Sequence, residues 1–129
     1  MPKPILERVM SLFKPSAPSV VLERRRRRRY TANTLVRVQI EGLREALTAE
    51  ILDLSAVGCF LKGDDISFIA SAGDRLAFGF LHQMRAVALA RGRVVRREPG
   101  VGLGVVIDHA NDVMDGFLGR LAVSQGSAA

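Results

Sequence analysis

The chain has 129 residues, of which 48% are hydrophobic, 5% aromatic and 25% charged. This length suits one domain with a modest core, and the apolar share excludes a chain that is disordered throughout. The single cysteine, Cys59, excludes an internal disulfide, and no pair of Cys or His residues has zinc-ligand spacing. We therefore expect no metal site and no cofactor, and a reducing cytoplasm is the simplest compartment.

The formal net charge of +6 is concentrated in one run of six arginines, Arg24–Arg29, because acidic and basic residues balance in the rest of the chain. Six adjacent guanidiniums cannot pair with one another. Each would cost several kcal/mol to desolvate without a partner. The run must therefore stay hydrated or bind an anion.

The segment before this run predicts an amphipathic helix followed by a linker, together residues 1–22. Apolar residues recur at helical spacing from Ile5 to Phe13, and Lys14–Ser19 contains two prolines. The helix either packs on its own domain or a second copy, or docks on a partner or membrane face. No apolar run reaches the length of a secretory signal or a membrane span, which supports the cytoplasmic location.

Six short segments then alternate apolar and polar residues or run apolar between turns, which predicts strands. They are Val36–Ile40, Leu47–Ile51, Cys59–Leu61, Leu76–Phe80, Arg85–Arg97 and Val101–Ile107. The first two form a hairpin, and the last places Val101, Leu103, Val105 and Ile107 on one face. Asp64 and Asp65 read as turn residues, and Ser67–Gly73 predicts a loop with a short turn.

The last periodic segment, Val113–Leu121, predicts a helix with Asn111 as N-cap, and Ser124–Ala129 predicts a frayed tail. Six short strands separated by turn signals favour an all-β fold, a small antiparallel barrel that is closed or nearly closed. The C-terminal helix completes it, so residues 23–123 form the predicted domain.

Two motifs lie on this framework. Arg25 and Arg29 form an Arg-x-x-x-Arg motif, and Asp53, Ser55 and Gly58 form an Asp-x-Ser-x-x-Gly motif across one strand pair. In order and spacing they resemble the PilZ domain family. The resemblance covers the chain from about Glu23 to Val123 and implies a six-stranded barrel with a C-terminal helix.

The resemblance also implies a function, which is binding of the bacterial second messenger cyclic di-GMP without catalysis. A downstream protein partner in motility, biofilm or polysaccharide control would receive the signal. By resemblance, Arg25 and Arg29 wrap the ligand, while Asp53, Ser55 and Gly58 line the barrel wall.

The residue before the first motif, Arg24, resembles the form associated with a stacked pair of ligands. A one-residue slip within the run would make Arg24 and Arg28 the motif arginines instead.

These residue types suit the ligand. A guanidinium forks onto phosphate, donates to guanine O6 and N7, and stacks on a base. The Asp53 carboxylate suits the N–H edge of guanine, and the Ser55 hydroxyl donates or accepts. Gly58 would supply either a positive φ or room for a close approach.

Other interpretations stay open for individual residues. The arginine run alone also fits a nucleic-acid-binding arm, and the fold alone a ligand-independent adaptor. Asp53 and Ser55 fit a backbone-capping turn, and Cys59 a small core residue. Four further arginines either extend the positive surface or form a solvated strand face: Arg91, Arg93, Arg96 and Arg97. Ser55 with His82 or His109 matches no nucleophile elbow, so no enzyme activity is expected.

Overall fold

The computed structural model describes residues 28–82 and 85–125, without the side chains of 81–86. The predicted helix Ile5–Phe13, its linker and the arginines before Arg28 lie outside the described residues, as do residues 126–129.

The described residues form six strands and two helices. In chain order they are β1 (Tyr30–Ile40), β2 (Leu47–Leu54), β3 (Gly58–Lys62), α1 (Asp64–Ile69), β4 (Arg75–His82), β5 (Arg85–Glu98), β6 (Gly102–Ala110) and α2 (Asp112–Ser124). The strands form a closed antiparallel barrel in the order β1-β2-β3-β6-β5-β4, which pairing of β1 with β4 completes. The predicted six-stranded barrel with a C-terminal helix is confirmed.

The strand register decides which chain ends meet. Thr31 at the start of β1 lies opposite Asp53 at the end of β2, and Gly58 at the start of β3 lies opposite Val106 of β6. Because the pairs are antiparallel, the residues just before β1 come beside the β2–β3 turn. The two motifs are therefore brought to one end of the barrel.

The barrel interior is filled by the apolar residues of the alternating segments. Side chains with 0–3% exposure include Val36, Val38, Ile40, Ile51, Leu61, Leu76, Phe78, Leu89, Leu103 and Val105. Burying each large aliphatic or aromatic side chain is worth about 1.5–3 kcal/mol relative to leaving it exposed. The period-2 pattern of the sequence thus provides the driving force for closing the barrel.

Helix α1 lies partly where the sequence predicted a turn and a loop. Ile66 is fully buried. The hydroxyl of Ser67 donates to the carbonyl of Asp64 at 2.6 Å and accepts from the N–H of Gly100 at 2.8 Å. Six residues make no stable helix alone, so this one depends on tertiary packing. Asp64 and Asp65 occupy its first turn, where acidic residues complement the helix dipole.

The placement of Val101 on the inner face of the last strand is wrong. Val101 is 47% exposed and precedes β6, and its N–H donates to the carbonyl of Glu98 at 2.9 Å in a turn. Leu103 and Val105 are buried as predicted, and Ile107 packs against the core. Because of this turn, β6 begins at Gly102, one residue later than the sequence pattern indicates.

Helix α2 begins as predicted. The side-chain oxygen of Asn111 accepts from the N–H of Met114 at 3.1 Å, and its amide donates to the carbonyl of Ala88 at 2.8 Å. Phe117 is nearly buried and packs edge-on against Phe80 with 4.9 Å between ring centroids. These contacts fix the N-terminal half of α2 on the barrel.

The other end of α2 is tied to β1. The side-chain amide of Gln125 accepts from the N–H of Thr31 at 3.1 Å and donates to its carbonyl at 2.6 Å. Ser124 belongs to the helix, although the sequence placed Ser124 and Gln125 in a frayed tail. In the part of the chain that the structure describes, no helix is both long and apolar enough to cross a bilayer.

Candidate functional site

The two motifs meet in one contact, between Arg29 and Asp53. A terminal nitrogen of the Arg29 guanidinium donates to a carboxylate oxygen of Asp53. The side chains are 54% and 42% exposed, so a molecule in solution can reach both. Arg29 rather than Arg28 makes this contact, because Arg28 lies over the ring of Tyr30 at 5.8 Å from its centroid.

The segment from Asp53 to Gly58 ends β2 and turns into β3, and Ser55 holds the turn. The N–H of Ser55 donates to the carbonyl of Gly58 at 2.8 Å. The Ser55 hydroxyl accepts from the N–H groups of Val57 and Gly58 at 3.2 and 3.1 Å. The side chain is fully buried. Ser55 therefore caps the backbone of the turn, which the sequence offered as one alternative for Asp53 and Ser55. Of these two residues, only Asp53 is exposed to solvent.

Gly58 is required for space rather than for a special backbone angle. It is not among the residues with positive φ. A Cβ at this position would lie 2.9 Å from the carbonyl oxygen of Val105 and 3.4 Å from a terminal nitrogen of Arg29. Its missing side chain lets β3 approach β6 and lets the Arg29 guanidinium lie over the turn.

Cys59, the next residue, is a buried core residue, as its apolar surroundings predicted. The pKa of its thiol is raised from 9.0 to about 12, chiefly by burial and also by the nearby charge of Asp53, while the charge of Arg29 acts in the opposite direction. The thiol therefore stays protonated and unreactive at neutral pH. It contributes packing to the wall of the site.

Arg96 supplies a second guanidinium at the same place. Its side chain crosses β6 above Gly104, where a Cβ would come within 3.3 Å of the Cβ of Arg96 and 3.5 Å of its Nε. The guanidinium lies 5.9 Å from the ring centroid of Phe60, and its Nε lies 3.6 Å from a carboxylate oxygen of Glu98. Arg96 is thus held beside the β2–β3 turn by an aromatic ring, a carboxylate and a gap in the next strand.

These side chains surround an open cavity of about 410 Å³. Its lining residues are Arg29, Asp53, Val57, Gly58, Cys59, Phe60, Val95, Arg96, Gly104, Val105 and Val106. This volume falls within the range of small-molecule sites, which combine an apolar wall with a few polar groups. Two guanidiniums and one carboxylate around an apolar floor can bind a molecule that carries both a phosphate and a hydrogen-bonding base.

The other sequence-predicted residues do not all meet here. Arg24 and Arg25 lie outside the described residues. Arg91 and Arg93 line a different groove, and Arg97 lines neither. Among the described residues, no group of three or more His, Cys, Asp and Glu side chains could hold a metal ion. The sequence suggested Arg96 only as one of four equivalent arginines, and its role depends on strand register.

Comparison with known proteins identifies the family and the fold. Residues 23–122 match the PilZ domain family. Among solved structures, the chain resembles the PilZ domain of CeSA from a cellulose-synthesizing bacterium with a TM-score of 0.53 and 20% sequence identity, covering 77% of this chain and 98% of that one. No curated protein sequence matches the chain significantly. Because the family match spans most of its length, the chain belongs to the PilZ domain family, a family of cyclic di-GMP receptor domains.

Proposed function

We propose that the domain binds cyclic di-GMP in the cavity between Arg29, Asp53 and Arg96. The observation that carries the proposal is the Arg29–Asp53 contact, because it joins the two motifs at a cavity of about 410 Å³. The ligand offers phosphates to the guanidiniums and guanine edges to both side chains. Family membership supports the general role, and this geometry supports the particular residues.

The Arg29–Asp53 ion pair is weak enough for a ligand to break. Both side chains are about half exposed, and exposed ion pairs contribute only about 0–1 kcal/mol to stability. A ligand phosphate that accepts two charge-assisted hydrogen bonds from Arg29 more than replaces that energy. Ligand binding therefore opens the pair at little cost and frees the Asp53 carboxylate to accept from the N–H groups of guanine.

The remaining motif residues act through the turn. Ser55 caps the backbone of Val57 and Gly58, and Gly58 leaves room beside Arg29. We propose that Ser55 fixes the position of Asp53 and that Gly58 gives the ligand access to the backbone. Arg96, held over Phe60, supplies a guanidinium on the opposite side of the cavity.

Arg24 and Arg25 belong to the same proposal. They precede Arg29 by five and four residues, so an arm that orders around the ligand brings both to it, and Arg24 favours a stacked pair. Ligand phosphates would neutralise the mutual repulsion of the arginines and so order the arm. The helix Ile5–Phe13 would then transmit this change to a downstream partner. If the cellular response survives deletion of residues 1–19, this output route is excluded.

The test is calorimetric titration of cyclic di-GMP into the wild type and into Arg25→Ala, Arg29→Ala and Asp53→Ala at two salt concentrations. The matched control is Arg28→Ala, which removes the same charge from the same run. We expect saturable binding that the three motif substitutions abolish and the control retains. The stoichiometry will distinguish one ligand from a stacked pair.

GTP serves as the ligand control. If GTP binds equally, or if Arg28→Ala weakens binding as much as Arg29→Ala, the arginine run acts as a general polyanion-binding arm. That outcome would move the protein to the nucleic-acid-binding alternative. No binding of any nucleotide would instead favour an adaptor.

Arg96 has its own test. Replacing it with alanine removes one charge-assisted contact, so we expect the dissociation constant to rise about tenfold, which corresponds to about 1.4 kcal/mol. Arg97→Ala is the control, because Arg97 is an exposed neighbour on β5 that lines neither cavity. Equal affinity in Arg96→Ala and the wild type would remove Arg96 from the site.

A further inference from the structure

A second groove lies on the outer face of the barrel across β4, β5 and β6. Its volume is about 760 Å³, and its lining residues are Glu41, Arg75, Arg91, Gly92, Arg93, Asp108 and His109. None of them lines the cavity at Arg29 and Asp53. Neither motif accounts for this groove, which holds three of the arginines of the described chain.

The strand register sets two of these arginines directly opposite each other. Arg75 pairs with Arg93 in the antiparallel β4–β5 ladder, and both are exposed. Like charges directly opposite on a sheet face destabilise it. Neither arginine forms an ion pair with any described residue, so two guanidiniums lie opposite each other here without a direct counter-ion.

A third group with unused hydrogen-bonding capacity lies beside them. His109 lies opposite Arg91 in the β5–β6 ladder, and its Nδ1 is buried without a hydrogen-bond partner among the described residues. A buried ring nitrogen without a partner carries a desolvation cost that a ligand or an ordered water removes. The groove therefore combines the guanidiniums of Arg75 and Arg93, which form no ion pair with a described residue, with a neighbouring imidazole.

Two acidic residues restrict the kind of anion that this groove can bind. Glu41 and Asp108 line the same groove, so a nucleic-acid strand running across it would bring phosphates toward carboxylates. Three arginines against two carboxylates leave the lining with a net positive charge, so a compact anion between Arg75 and Arg93 is still attracted. Guanidiniums bind phosphate oxygens in a bidentate manner, and the volume exceeds the needs of a single phosphate.

We infer that this groove is a second ligand site, which binds a compact phosphate-bearing anion such as a nucleoside triphosphate or a short polyphosphate. Arg75 and Arg93 hold the phosphates from the two sides of the β4–β5 ladder, and His109 lines the groove beside them. The inference is independent of cyclic di-GMP binding, although the two sites adjoin, since Arg93 pairs with Val106 of the first cavity.

The test is a residue-resolved NMR titration of the full chain with tripolyphosphate and, separately, with ATP. Residue resolution is needed because the arginine run also attracts anions. The backbone amide of Gly92 and the ring of His109 report the groove, and the amide of Gly58 reports the first cavity. The Arg75→Gln/Arg93→Gln variant tests the groove, and Arg97→Gln controls for loss of charge alone.

We expect saturable shifts at Gly92 and His109 that the double substitution weakens at least tenfold and Arg97→Gln leaves within twofold. A response to both probes identifies the phosphate chain as the ligand group, and a response to ATP alone adds the nucleoside. Shifts that are absent from Gly92, or equally weakened by Arg97→Gln, would overturn the inference. So would shifts at Gly92 with cyclic di-GMP that disappear in Asp53→Ala, because the groove would then be part of the first site.

Discussion

At the scale of single residues, Gly58 is the position where packing and ligand access depend on the same missing side chain. The Cβ of Gly58→Ala would lie 2.9 Å from the Val105 carbonyl oxygen, so β3 and β6 must separate. We expect the free energy of unfolding to fall by about 1–3 kcal/mol, measured by urea denaturation, with weaker cyclic di-GMP binding. The control Gly119→Ala, which meets nothing within 4 Å, should gain about 0.5–1 kcal/mol as an exposed helical position.

Cys59 makes stability depend on alkaline pH. The pKa of its thiol is raised from 9.0 to about 12 in the folded state, chiefly by burial. Between these values the unfolded chain loses a proton that the folded chain keeps, so the contribution is complete below about pH 9 and falls as pH rises toward 12. Urea unfolding at several pH values between 7.5 and 10.5 should show a steeper decline for the wild type than for Cys59→Ala. Identical slopes would mean that the thiol does not control this dependence.

At the scale of secondary-structure elements, the end of α2 stabilises the start of β1. Gln125→Ala removes two hydrogen bonds to Thr31, each worth about 1 kcal/mol. We expect a modest loss of global stability but faster amide hydrogen exchange at the first residues of β1, next to Arg29. The control is Ser124→Ala, whose hydroxyl bonds only the carbonyl of Leu121 within the helix. Unchanged exchange at Thr31 in Gln125→Ala would show that α2 does not hold this strand.

The elements themselves differ in how well the sequence predicts them. The alternating part of β1, Val36–Ile40, was predicted because burial of Val36, Val38 and Ile40 imposes a period of two. The first six residues of the strand were not predicted. Helix α1 was predicted as a turn and a loop, since six residues carry no helical period and the helix depends on burial of Ile66. The start of β6 was misplaced at Val101 because this residue fits the apolar alternation of the strand, although its N–H donates to the carbonyl of Glu98 in a local turn.

The candidate site shows the same division. The motifs predicted that Arg29 and Asp53 belong together. Arg96 could not be singled out, because a register shift between Val94 and Arg96 breaks the alternation of β5. Val95 and Arg96 are consequently both exposed, and the pairing of Arg96 with Gly104 follows only from the three-dimensional register. Likewise, the sequence could not show that the Ser55 hydroxyl accepts hydrogen bonds from the backbone of the turn.

At the scale of the whole molecule, the excess positive charge belongs to one segment, and three of its six arginines, Arg26, Arg27 and Arg28, lie outside both motifs. We expect Arg26→Gln/Arg27→Gln/Arg28→Gln to keep cyclic di-GMP affinity at about 0.3 M salt, where screening is strong. Weak binding of single-stranded RNA should fall, with the slope of log K against log salt reduced by about 2. Fluorescence anisotropy at several salt concentrations measures both. A loss of cyclic di-GMP affinity at high salt would show that the middle of the run contacts the ligand directly.

The hydrogen bonds between Thr31 and Gln125 also bring the two ends of the fold together. The chain enters the barrel and leaves α2 at neighbouring points, and domains with adjacent ends tolerate insertion into a loop of another protein. A host chain could therefore carry this fold without a long connecting segment around the barrel. Tension or rotation at such a junction would act directly on the residues beside Arg29, where we propose that the ligand binds.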